Sequence, residues 1–113
     1  MVELDQFKFK LNQYKEPMEE LGMSLELERK KARMEELEAK MEEPDFWSAP
    51  EKAQEITKEL KGIKDTVEGF SELEQEMDDI STMIEMGYEE NDESLIPEIS
   101  EMLDTFTETF EKM

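Results

Sequence analysis

Neither cysteine nor histidine occurs among the 113 residues. Their absence removes disulfides, thiol chemistry, the usual zinc ligands and the commonest general base, and so closes most classes of catalytic site. Basic residues are scarce: 13 Lys and Arg stand against 33 Asp and Glu, a formal charge of -20. A surface of that sign makes free nucleic acid and anionic membrane poor partners for the chain as a whole. Long apolar runs are missing too, since none approaches the roughly 18 residues needed to cross a bilayer. The start, Met1-Val2-Glu3-Leu4-Asp5, lacks the basic segment and apolar core of an export signal. The expectation is a cytoplasmic protein with no membrane association. Glycine is sparse, and Gly22, Gly62, Gly69 and Gly87 are isolated, with none preceding a Lys-Ser or Lys-Thr pair. A phosphate-cradling loop therefore has no support, and no cofactor is expected.

What the sequence does have is apolar residues in helical register. A hydrophobic fraction of 36% beside a charged fraction of 41% would permit disorder if the apolar positions had no periodic arrangement. They have one. Leu4, Phe7, Leu11, Tyr14, Met18 and Leu21 lie three and four apart, predicting a first helix from Glu3 to Leu21 with a kink or early stop near Glu16 caused by Pro17. Gly22 is a candidate C-cap. Ser24 reads as the N-cap of a second helix that carries Leu27, Met34, Leu37 and Met41 on one face and ends at Glu43, before Pro44.

Ser48 and Glu51 have the spacing of a capping box, with Pro50 in the first turn of a third helix. Its stripe runs through Ala53, Ile56, Leu60, Ile63, Val67 and Phe70, then Leu73, Met77, Ile80 and Ile84, with one change of phase near Leu73 that resembles a stutter. Unbroken from Ser48 to about Met86, this helix would be about 57 Å long. Gly87 to Glu93 forms an acidic connector, and Ser94 can cap a last helix bearing Ile99, Leu103, Phe106, Phe110 and Met113. That stripe reaches the last residue without a stop signal, as expected of a piece of something longer. One-sided helices joined by short connectors must pack antiparallel. The predicted fold is all-α, an antiparallel hairpin or bundle of about four helices with one long heptad-patterned helix. Its predicted core includes Leu11, Leu21, Leu37, Trp47, Ile56, Leu60, Ile63 and Val67.

Candidate chemistry is thin. Ser24, Ser48, Ser71, Ser81, Ser94 and Ser100 have no histidine to activate them. The acidic run from Glu89 to Glu93 does not meet the calcium-loop spacing. Asp78 and Asp79, adjacent in sequence, point to different sides of a helix, the wrong geometry for acid and base work at one bond. Arg29, Lys30, Lys31 and Arg33 form the one basic cluster. On a helix such a cluster is ordinarily a solvated face, and its functional alternative is a local contact with phosphate or an acidic partner. Phe46-Trp47 beside two prolines is read as the apolar plug of a helical hairpin.

The residues Leu21-Gly22-x-Ser24-Leu25-x-Leu27, Lys30-Lys31-x-Arg33-Met34-Glu35-Glu36-Leu37, Glu42-Glu43-Pro44-Asp45-Phe46-Trp47-Ser48 and Pro50-Glu51-Lys52-Ala53-Gln54 together resemble the N-terminal domain of the bacterial peptide chain release factor 2 family, a branch of the class I release factors. The resemblance covers essentially residues 1–113 and is most specific from Leu21 to Leu60. It implies a non-catalytic ribosome-interaction domain of a factor that terminates translation at UAA and UGA codons. In the family the Gly-Gly-Gln motif and the Ser-Pro-Phe codon reader lie in later domains, and neither motif occurs here. The implied partners are the ribosome, on the stalk-base side of the large subunit, and the remaining release factor domains. The basic cluster from Arg29 to Arg33 then becomes a candidate contact surface. The heptads alone equally fit a free-standing coiled-coil adaptor or assembly protein.

Overall fold

A computed structural model describes residues 1–113. It contains five α-helices and no strand: α1 (Val2–Asn12), α2 (Lys15–Ser24), α3 (Leu27–Met41), α4 (Pro50–Glu90) and α5 (Leu95–Lys112), with a 3-10 turn at Phe46–Ser48. The all-α class and the single long helix match the reading of the heptads. The chain divides into two compact units, Met1–Glu20 with Ser71–Met113, and Leu21–Phe70.

In the first unit, α1 and α5 pack together with the C-terminal half of α4. Its core comprises Leu4, Leu11, Met18, Leu73, Ile80, Ile84, Ile99, Leu103 and Phe106. Tyr14 meets Phe106 and Phe110 edge-on, both at centroid separations of 5.3 Å, a favoured aromatic geometry. Gly87 lets α4 approach α1 closely, since an added Cβ would lie 3.0 Å from Leu4 Cδ1. The predicted connector is correspondingly shorter. Helix α4 continues through Gly87 to Glu90 and turns at Asn91, which adopts φ 49°.

Ser94 stands at the head of α5 as predicted, but its side chain makes no cap bond to the helix. Asp92 organises the turn instead, its Oδ1 accepting from the Ser94 amide at 2.9 Å and the Ser94 hydroxyl at 2.6 Å. Those two bonds hold the Asp92 carboxyl below its ordinary pKa.

The predicted first helix is two helices. The break comes at Gln13–Tyr14, ahead of the site expected from Pro17, and Pro17 occupies the first turn of α2, where a missing donor costs no helical bond. Met18 N bonds to Tyr14 O at 2.9 Å, so α2 begins cleanly upstream of the proline.

In the second unit, α3 and the N-terminal half of α4 form a hairpin closed by the 3-10 turn, with Leu37, Phe46, Ala53, Leu60 and Phe70 buried. Gly22 lies inside α2 and not at a cap, and its missing side chain admits the Phe70 ring, 3.0 Å from the position of a Cβ. Ser24 ends α2, its hydroxyl donating back to Leu21 O at 2.9 Å. The reversal into α3 is made by Glu26, at φ 52° and ψ 51°. Ser48 likewise is no N-cap: its hydroxyl donates to Asp45 O at 2.6 Å within the 3-10 turn, and α4 opens with Pro50 at its first position.

Of the predicted core, Leu11, Leu37 and Leu60 are buried and Leu21, Ile56, Ile63 and Val67 half-buried. Trp47 is 65% exposed, while Phe46 plugs the hairpin at 9%. The two rings meet edge-on at 4.7 Å, so the 3-10 turn turns one inward and leaves the other outside.

Candidate functional site

The basic cluster lies at the start of α3, in the second unit, and its four side chains go to four different tasks. Arg29 Nη1 meets Glu26 Oε2 at 2.8 Å, and Lys31 Nζ lies 3.8 Å from Glu28 Oε1. Lys30 Nζ donates to Leu25 O, a carbonyl at the α2–α3 reversal. Arg33 crosses to α4, with Nε 2.7 Å from Glu59 Oε2 and Nη2 3.0 Å from Glu59 Oε1, while its Nη1 reaches Glu36 Oε2 at 3.0 Å. The Arg33 fork is therefore a two-point clamp on a carboxylate, a geometry that lysine cannot reproduce.

The electrostatics follow that geometry. Hydrogen bonds to Glu59 and then Glu36 hold the Arg33 guanidinium above its ordinary pKa. The same clamp holds the Glu59 carboxyl below the usual carboxylate value. The structure thus brings the four residues into one region but leaves them unequally open. Arg29 has 81% of its side chain exposed, whereas the Arg33 side chain is 38% exposed and fully engaged. Sequence spacing could not have revealed the Arg33–Glu59 bond, because its partners are 26 residues apart on different helices.

The hairpin end presents a second feature. A cavity of about 240 Å³ lies beside the 3-10 turn, with Phe46, Ala53 and Ile56 as apolar wall and Lys40, Lys52 and Glu43 among the charged residues at its edge. Charges of both signs meet there. Sequence reasoning singled out this turn for its aromatics but did not anticipate that Trp47 is the residue offered to solvent. No helix is long and apolar enough to cross a membrane.

Comparison with known proteins gives this geometry a context. The PCRF domain family matches residues 30–113. Similar proteins include peptide chain release factor 2 of Clostridium perfringens (strain SM101 / Type A), 39% identical over 99 residues that cover 88% of this chain and 27% of that protein. Peptide chain release factor 2 of Proteus mirabilis is 33% identical over 113 residues, covering 100% of this chain and 31% of the relative. A third, from Staphylococcus epidermidis (strain ATCC 35984), is 33% identical over 111 residues, 98% of this chain and 30% of its own length. The chain spans less than a third of the length of these curated relatives.

Proposed function

The chain belongs to the peptide chain release factor family through its PCRF domain, and from that premise we propose that it is the N-terminal, non-catalytic ribosome-interaction domain of a factor that terminates translation at UAA and UGA codons. The observation that carries this reading is the similarity of the entire chain to about a third of a release factor 2. Such a factor keeps its hydrolytic Gly-Gly-Gln motif elsewhere, and all four glycines here are isolated. With no histidine, no cysteine and no paired glycines, the residues of this chain can bind and orient but have no evident means of hydrolysing an ester. The coiled-coil adaptor alternative has only the heptads behind it.

In this reading the domain works in the cytoplasm, beside the codon-reading and Gly-Gly-Gln domains and toward the stalk-base side of the large subunit. Its candidate contact surface is Arg29, Lys30, Lys31 and Arg33. Arg29 and Lys31 are the members free to change partner, since each gives up only an exposed intrahelical pairing. Arg33 and Lys30 support that surface by fixing α3.

Charge reversal in the full-length factor tests the surface. Arg29→Glu with Lys31→Glu is expected to weaken binding to ribosomes and to reduce the slope of log affinity against log salt by about 1 for each phosphate no longer neutralised. Unchanged affinity and slope would return the cluster to a solvated helix face.

A further inference from the structure

The acidic excess is not spread evenly. From Ser71 to Glu111 the sequence has 15 acidic residues and no basic one, whereas the unit Leu21–Phe70 has 13 acidic and 9 basic residues. Every ion pair in the structure falls between Glu26 and Asp65. An ordinary solvated helix face alternates charge at i,i+4, as Lys61 and Asp65 do. The second half of α4 and α5 instead carry like-charged neighbours such as Glu72 with Glu76 and Asp104 with Glu108, which repel, and Lys112 at the end of α5 is the one basic residue in either stretch.

Those two helices enclose a groove of about 260 Å³. Ile80 and Met102 contribute apolar lining, and Glu76, Asp79, Glu98 and Glu101 contribute the carboxylates. Glu76 Oε2 is shut off from solvent without a hydrogen-bond partner. Oxygens so buried nearly always have a donor, and here the protein supplies none. Burial, then Glu72 and Asp79, push the Glu76 carboxyl above its ordinary pKa.

We propose that this groove docks a basic segment of a partner protein by receiving an arginine side chain, whose stem lies on Ile80 and Met102 and whose guanidinium meets the carboxylates. The charge complementarity is one-sided and strong, and it excludes nucleic acid as the occupant. Arginine suits the site because its stem is apolar and its planar head carries five donors, enough for several carboxylates at once. The proposal does not depend on the role assigned to the domain on the ribosome, and its test uses no ribosome.

The test is an NMR titration of the 113-residue chain at low salt with a nine-residue alanine-based peptide carrying three arginines, following the Met102 methyl signal. Saturable movement of that signal is expected, and its absence with the citrulline version of the peptide. Glu98→Gln with Glu101→Gln should weaken binding by about tenfold, as expected when a charge-assisted hydrogen bond is removed. Glu85→Gln with Glu89→Gln removes the same charge from α4 away from the groove and should weaken it less than about twofold. Both variants relieve repulsion, and circular dichroism checks that each remains helical. Equal weakening by the two pairs, an unmoved Met102 signal, or no binding by the unaltered chain would overturn the proposal.

Discussion

Glu76 is a carboxyl that its surroundings hold above the ordinary pKa. Its own helix sets Glu72 and Asp79 beside it, α5 sets Glu98 and Glu101 along the same groove, and one of its oxygens is buried without a donor. Burial and these neighbours make the ionised form costlier than in an ordinary glutamate. A carboxyl whose folded pKa is raised contributes stability that is fully present below its ordinary value and is lost as the pH rises through the raised one. Glu76→Gln should accordingly raise the melting temperature by a few degrees at pH 7, with the gain shrinking toward pH 4, as read from paired thermal melts across pH. A variant that is less stable at pH 7 would show that the ionised carboxylate has a partner after all. The same variant is expected to bind arginine peptide more weakly, a site held ready at some cost in stability. At this scale the sequence was only partly legible. Arg33 stood out as basic, but its clamp on Glu59 depends on the fold. Trp47 was placed in the predicted core and Phe46 was not, and the 3-10 turn reverses that choice by burying Phe46 and leaving Trp47 outside.

Helix α4 is the most legible element and shows what glycine does in a helix. Its 41 residues run past Gly62 and Gly69, which lie between buried Ala53 and Leu60 on one side and Phe70, Leu73, Ile80 and Ile84 on the other, and past Gly87 in its last turn. Gly62 meets nothing within 4 Å of an added Cβ, so Gly62→Ala should stabilise by about 1 kcal/mol through helix propensity alone. Gly87→Ala has the same propensity gain, but its methyl would lie 3.0 Å and 3.1 Å from the two terminal carbons of Leu4, itself wholly buried. Overpacking of that kind costs about 1–3 kcal/mol, enough to cancel or reverse the gain. Urea melts of the two variants should move their midpoints apart, and a shared upward shift would mean that Leu4 can yield. Helix starts and stops were less legible than helix identity. Pro50 at the head of α4 was readable because proline has one good place in a helix. The break at Gln13–Tyr14 was not, since the apolar spacing runs through it unchanged. Nor was the reversal at Glu26, where a residue with no special liking for positive φ takes the turn that Gly22 was expected to serve.

Across the whole molecule, two properties combine: helices that bury one face each, and a charge distribution concentrated in the unit built from Met1–Glu20 and Ser71–Met113. The all-α class was legible because a spacing of three and four survives almost any local error. The division into two units was not, although the phase change near Leu73 falls close to the boundary after Phe70. Heptads fit any helical bundle, so function rested on the short stretch around Glu42 to Gln54, and the family match over residues 30–113 includes that stretch. Membership in the family fixes what kind of protein this is, and the part played by the domain follows as a proposal that kinetics can decide. If the domain binds and orients while the hydrolytic motif lies elsewhere, removing it should alter how much factor is needed and leave the chemistry alone. The most direct measurement is the rate of peptide release from ribosomes stopped at UAA or UGA, as a function of factor concentration, for the full-length factor with and without residues 1–113. Removal is expected to raise the half-saturating concentration by about tenfold or more, equivalent to roughly 1.4 kcal/mol of binding, with the maximal rate retained to within a few-fold. An unchanged half-saturating concentration with the maximal rate abolished would show instead that the domain takes part in the chemistry.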